Sequence, residues 1–235
     1  MSDLERSSHE VEIRVAEPGR MRHPPRQELP RHPHDHGFAA LVLSGGYVEA
    51  GDTGRHWMEA GDVLLHQAWE SHLDRFDGRG AEVLVLDIDD AEAAPLVGRV
   101  ADPDAVARLA ERDRAEAAHL LLSTLTPRAA ACADWPDLLA HALRADPALP
   151  LTPWARARGL HLGSLSRGFR QVFGVAPVAY RLIQRTRRAM DAVRNTAEPL
   201  SLVAVDSGFA DQAHMSRAIR SLANTTPRAL RRLAA

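Results

Sequence analysis

The 235-residue sequence contains no lysine: all 29 of its basic residues are arginine, a bias read as the mark of a high-GC genome. Cysteine is almost absent too. Cys132 stands alone, which excludes an intrachain disulfide and a cysteine-rich zinc site and fits a reducing compartment. No apolar run approaches the roughly 20 residues that a membrane-spanning helix needs, and the opening MSDLERSSHE lacks the apolar segment of a secretory signal. A cytoplasmic protein without membrane contact is therefore expected. Apolar residues at 45% and charged residues at 26% exclude wholesale disorder and a fibrous repeat. The length suits two modest domains, each able to bury a core.

The net charge of −2 hides a division along the chain. From residue 150 onward there are 14 arginines against Asp191, Glu198, Asp206 and Asp211, a net charge of +10, so the remainder carries −12. A basic segment tethered to an acidic one suggests a polyanionic partner for the first. Charge asymmetry alone is weak, because solvated faces also segregate, and the motifs must carry the rest.

Residues 1 to about 30 are polar and proline-rich, with one candidate strand at VEIRV. From about 37 to 90, short apolar runs (FAALVLSG, YVEAG, RHWMEAG, DVLLHQA, AEVLVLDID) alternate with Gly or Asp pairs, the rhythm of an antiparallel sandwich or small barrel. Residues 91–135 turn to helical spacing. Val106, Leu109, Ala110, Ala117, Leu120, Leu121 and Leu125 predict one amphipathic helix over Asp104–Leu125, started by Pro103 and Asp104 and ended before Pro127. A further helix fits Pro136–Ala145. The fold class expected is α+β: a sheet domain over 1–90, a helical linker and dimerisation segment over 91–135, and an all-α domain over 136–235.

That last domain reads as two related halves. In the first, Thr152 is placed to cap a short helix with Pro153 at its first position, Gly159 and Leu160 turn the chain, and LGSLSRGFRQVF forms a second helix. Leu165, Phe169 and Phe173 recur every four residues and read as core. The second half repeats the plan with Leu200, Leu202, Val203 and Val205, a turn at Gly208, and DQAHMSRAIRSL, with Phe209, Met215, Ile219 and Leu222 inside. Helix, glycine turn, helix is the helix-turn-helix layout, whose second helix fits the major groove. This leaves Ser164, Ser166, Arg167 and Arg170 outside in one half and Gln212, Ala213, Ser216, Arg217 and Arg220 in the other, residues suited to base edges and phosphates. A connecting helix of about 18 residues from Pro177 spans about 27 Å, matching grooves about 34 Å apart.

The runs LSRGFRQVFGVAPVAYRLIQRTRRA and LVAVDSGFADQAHMSRAIRSLANTTPRALRR resemble the AraC/XylS-type DNA-binding domain. Some dozen positions match the family pattern in order and spacing. Ile219 replaces the usual Phe, Asn224 an often-found Gly, and Thr186 interrupts the linker pattern. Gly163 removes a side chain where the first recognition helix would enter its groove, so that unit is expected to read few bases or DNA shape.

Six of the 12 histidines fall between residues 32 and 72. His34 and His36, two apart on an expected strand, would share a face. HPHDH and GDVLLHQAWESH together resemble the two motifs of a cupin barrel, in whose metal-binding members an HxH pair, a nearby Glu and a later His hold one divalent ion. The resemblance assigns His34, His36 and His72 to the three histidine places. The Glu is missing: Ala39, Ala40 and Leu41 lie where it would fall, with Glu49 a more distant candidate. These imidazoles could hold zinc, nickel, iron or copper or line an effector pocket. His56 and His66 read as structural or surface groups.

What the two resemblances imply is a non-enzymatic transcription regulator. Its expected partners are double-stranded DNA, a small-molecule or metal effector, a second copy of the chain, and RNA polymerase. A metal-dependent cupin enzyme is the alternative, and it leaves the basic segment unexplained.

Overall fold

The computed structural model describes residues 17–89, 97–128 and 134–233, so the VEIRV strand and Cys132 lie outside it. Eight strands form one antiparallel sheet in the described residues: β1 (Gly19–His23), β2 (Glu28–Pro33), β3 (Phe38–Gly51), β4 (Gly54–Glu59), β5 (Asp62–His66), β6 (Ser71–Asp87), β7 (Val97–Arg99) and β8 (Thr126–Pro127). They run in the order β1-β6-β3-β5-β7-β8, with β2 also on β6 and β4 also on β3. Runs that looked separate in the sequence merge, since FAALVLSG and YVEAG are one bent strand, β3. The bend is a bulge where β3 crosses β6. Gly45 has φ of 72°, and a Cβ there would lie 1.9 Å from the Gly80 carbonyl oxygen, so only glycine fits.

Period-two alternation sorts β3 into two faces. Phe38, Ala40 and Val42 join Tyr47, Leu64, Phe76, Val83 and Val85 in one cluster beside a cavity that most of them line, while Ala39 and Leu41 join Val63, Leu65, Leu84 and Leu86 on the other side. Two helices, α1 (Pro103–Ala110) and α2 (Arg114–Thr124), cover that second face with Val106, Ala107, Ala117 and Leu121. The single helix expected over Asp104–Leu125 is thus broken. The Asp113 carboxylate accepts a hydrogen bond from the Glu116 amide (3.0 Å) and starts a new helix instead of continuing the old one. The segment expected as a helical linker also carries β7 and β8, which extend the sheet from β5.

The rest is helical: α3 (Trp135–Ala145), α4 (Leu151–Arg156), α5 (Leu162–Phe173), α6 (Pro177–Asn195), α7 (Leu200–Asp206), α8 (Gln212–Ala223) and α9 (Pro227–Leu233). α4 begins before Thr152, with Pro150 at its N-cap and no side-chain cap, so the expected Thr152 cap is not used. α5 and α8 repeat each other fifty residues apart. Both end in a left-handed residue, Gly174 and Asn224, and both are followed by a helix opened by proline, Pro177 and Pro227. Asn supports the left-handed cap that glycine supplies in the first copy.

The two parts of the chain share a core. Ala50 and Leu73 of the sheet pack with Leu139, Leu143, Leu165, Phe169, Phe173 and Tyr180. At the edge of this contact the buried Asp52 carboxylate forms an ion pair with Arg31, accepts a hydrogen bond from the Ser71 amide (3.0 Å) and lies 3.8 Å from Arg187 Nη1. Its carbonyl oxygen accepts from the Tyr180 hydroxyl (3.0 Å) and Gln184 Nε2 (3.2 Å). Removing one partner of such a network strands the others. Asp52→Ala is expected to cost about 3–5 kcal/mol, read as a lowered midpoint in urea unfolding. An unchanged midpoint would show that the joint contributes nothing to stability.

Candidate functional site

Two regions concentrate chemistry. The first is the outer surface of α5 and α8. The His161 ring nitrogen accepts from the Gly163 amide (3.2 Å) and the Asp211 carboxylate from the His214 amide (2.6 Å), which starts each helix. Leu165, Phe169 and Phe173 bury one face of α5, and Met215, Ile219 and Ala223 that of α8; Leu222, expected inside, is only partly covered. Outside stand Ser164, Arg167 and Arg170 on α5 and Gln212, Ala213, Arg217 and Arg220 on α8, all exposed, with Ser166 and Ser216 half-buried beside them. The Ser216 hydroxyl donates to the Gln212 carbonyl (2.7 Å).

The arginines of this region divide by role. Arg181, Arg185, Arg188 and Arg231 donate to backbone carbonyls of Leu149, Pro147, Arg144 and Val193, and Arg187 binds Glu70. Arg158 stacks 4.0 Å over the Trp154 ring. The guanidinium groups of Arg167, Arg170, Arg217 and Arg220, by contrast, take part in no ion pair or hydrogen bond among the described residues. From the sheet, Arg75 donates to the Gln171 and Val172 carbonyls (2.6 and 3.2 Å) and Arg31 to that of Phe173 (3.1 Å), tying down the open end of α5.

The second region is a cavity of about 240 Å³ inside the sheet, lined by His32, His34, Glu49, His66, His72 and Asp74 among apolar side chains. His34 Nε2 lies 2.9 Å from His72 Nε2, and His72 Nδ1 lies 3.2 Å from both Glu49 Oε2 and Asp74 Oδ1. His66 reaches the same Glu49 oxygen through Nε2 (3.4 Å) and Glu70 through Nδ1 (3.6 Å). Two sets of donor atoms, His32/His34/His72 and Glu49/His66/His72, each lie within 4.8 Å of one another.

His36 is not among them. The chain leaves β2 at Pro33, so His34 and His36 share no strand, and His36 turns outward to Asp35 (2.7 Å) and Asp87 (3.3 Å). The residue pair that meets is His32 and His34, an HxH of the same spacing one step earlier. Glu49 and His66 join the cluster through the long-range pairings of β3 with β5 and β6, which no local motif signals.

Burial, then repulsion from His72, His32 and His66, drives His34 down to about 2. Burial also opposes charge on His72, but Glu49 and Asp74 carry its pKa well above the usual imidazole value. His66 is raised against burial by Glu49 and Glu70. Burial pushes Glu49 up, yet His66 and His72 outweigh it and hold the carboxyl well below its ordinary range. A protonated His72 can therefore donate through Nε2 to a neutral His34.

Residues 154–233 match the family model for a helix-turn-helix domain. No curated protein matches the chain in sequence. Among solved structures it is similar to ToxT from Vibrio cholerae O395 (12% identity over 90% of this chain and 95% of that one, TM-score 0.42). It is similar also to a transcriptional regulator with an AraC-type DNA-binding domain from Chromobacterium violaceum (27% identity over 41% and 88%, TM-score 0.39). A third is the C-terminal domain of AraT from Geobacillus stearothermophilus (19% identity over 44% and 88%, TM-score 0.40).

The division of protons has a measurable consequence. Because the native state refuses the proton that unfolded His34 takes below its usual value of 6.5, His34 lowers stability by up to about 1.4 kcal/mol per pH unit toward acid. His66 and His72 act oppositely: their contribution is full at low pH and is lost as pH rises through their raised values. In ¹⁵N NMR titration of metal-free protein, His34 is expected to stay neutral at about pH 5 while His72 is still protonated at about pH 7. His34 protonating between those values would overturn this assignment.

Proposed function

We propose, from an AraC-type helix-turn-helix domain at residues 154–233, that this chain is a sequence-specific DNA-binding transcription regulator whose N-terminal, cupin-like domain senses a small-molecule or metal effector. The observation that carries the reading is a duplication: Arg167 and Arg170 on α5 recur fifty residues on as Arg217 and Arg220 on α8, exposed and unpaired. Guanidinium groups held free on two similar helices suit the phosphates and guanine edges of a duplex. α6, at 19 residues, is about 28 Å long, which suits consecutive grooves. Arg167 and Arg217 are assigned to base edges, and Ser164, Ser166, Arg170, Gln212, Ala213, Ser216 and Arg220 to their surroundings.

For the effector site, His34 Nδ1, Glu49 Oε2 and His66 Nε2 are buried without a well-directed hydrogen bond, and imidazoles with a carboxylate suit zinc, nickel, iron or copper. His32, His34 and His72, with Glu49 and His66, would hold such an ion. It would supply a fixed positive charge in place of the protons the cluster shares. A small polar molecule that fills the same cavity is the other occupant this reading allows. The protein is placed in the cytoplasm, as a homodimer acting on RNA polymerase. Since the apolar sides of α1 and α2 face the sheet, a dimer seam there would use their outer faces. The histidine cluster also favours a second reading, a metal-dependent cupin enzyme, which leaves the free arginines without a role.

Arg217→Ala is expected to weaken binding to a selected duplex by about 1–3 kcal/mol and relax its sequence preference, with wild-type affinity falling steeply as salt rises. Footprinting that shows unaltered selectivity would remove Arg217 from the interface. Salt-independent binding, together with turnover of a small substrate by metal-loaded protein, would favour the enzyme.

A further inference from the structure

The turn between β5 and β6, Gln67–Glu70, touches both candidate regions. Its two ends are in the histidine cluster, because His66 closes β5 and His72 is the second residue of β6. Its backbone is laced to a third cluster residue: the Trp69 amide donates to the His34 carbonyl (2.7 Å), and the His34 amide donates to that of Glu70 (3.3 Å). Any shift of His34, His66 or His72 is therefore felt by the turn.

On its other side the turn grips the DNA-binding helices. Trp69 is held at φ of 65°, a conformation unusual for a bulky residue, and its side chain packs against the core that α6, α7 and α8 build. Glu70 Oε1 accepts from Arg187 Nη2 on α6 at 2.7 Å, and Gln67 Oε1 accepts from the same nitrogen at 3.2 Å. The second Glu70 oxygen faces His66 Nδ1, while His66 Nε2 faces Glu49. One buried carboxylate thus stands between an imidazole of the cluster and the guanidinium that anchors α6.

We infer that this turn couples occupancy of the cluster to the DNA-binding domain, with Glu70 as the shared group; the inference rests on reading the cluster as a cation site. A cation held by His66 Nε2 replaces the proton that the metal-free ring shares with Glu49 there and locks the remaining one on Nδ1, facing Glu70, as carboxylates behind metal-bound imidazoles do. Glu70 then bridges an imidazole N–H and Arg187, and the hold of the sheet domain on α6 changes with occupancy. Coupling of this kind is reciprocal: whatever zinc does to DNA affinity, DNA does to zinc affinity.

The test uses full-length protein, zinc ion followed by calorimetry, and a duplex selected by the wild-type protein from a random-sequence pool. Saturating zinc is expected to shift wild-type DNA affinity by at least about fivefold. Glu70→Gln should still bind zinc, about tenfold or more weakly for want of the carboxylate behind His66, but at saturation its DNA affinity should no longer respond. Trp69→Gly, which relaxes the backbone while deleting the side chain seated on the second unit, should reduce the same response with the cluster intact. A full shift surviving in Glu70→Gln, or zinc binding by wild type with no shift, overturns the coupling. Failure of wild-type protein to bind zinc overturns the cation reading itself, and the coupling with it.

Discussion

A carboxylate that cannot reach water must be neutralised where it lies, and Asp52 meets that demand with groups from distant parts of the chain. Arg31 comes from β2, Arg187 from α6 and the Ser71 amide from β6, while Tyr180 and Gln184 of α6 close on the carbonyl of the same residue. Because a buried charge tolerates few arrangements, this single side chain restricts how the sheet domain and the helices meet. The apolar contact of Ala50 and Leu73 with Phe169, Phe173 and Tyr180 supplies area; the polar joint supplies orientation.

That orientation reaches the surface of α5. Its final carbonyls are held by Arg31 and Arg75 from the sheet, so the helix that presents Arg167 and Arg170 is anchored by its far end to the domain with the histidine cavity. α6 is gripped in the same way through Arg187. An excess of arginine in one segment therefore serves two different ends: some guanidinium groups are structural, satisfied by buried carboxylates and carbonyls, and others are left for a polyanion.

The histidine cluster obeys the same electrostatic rule on a smaller scale. Six ionisable groups crowded into an apolar cavity cannot all be charged, and their surroundings separate four of them: His34 neutral, His72 and His66 favoured as cations, Glu49 as an anion. The sequence offered the histidines, and the structure brings His32 rather than His36 beside His34 and His72. His34–x–His36 and His32–x–His34 have identical spacing, and only the end of β2 at Pro33 decides that His36 turns away to Asp35 and Asp87. The helix expected over Asp104–Leu125 failed for a similar reason. Its apolar period is continuous, and the break comes from Asp113 capping the Glu116 amide, a local competition that periodicity does not register.

What the sequence determined by itself rested on short-range periodicity: the alternating strands of the sheet domain, the core faces of α5 and α8 with Leu165, Phe169, Met215 and Ile219 inside, and the outward places of Arg167, Arg170, Arg217 and Arg220. Those follow from the 2.0 and 3.6 repeats of backbone geometry. Which histidines meet, that Glu49 and His66 join them, that Val97–Arg99 and Thr126–Pro127 extend the sheet, and that Asp52 ties the two parts together were decided only by tertiary structure. Each depends on pairings between strands and helices far apart in the chain, whose register is set by burial of whole faces and by neutralisation of enclosed charge, and neither is written in any one segment.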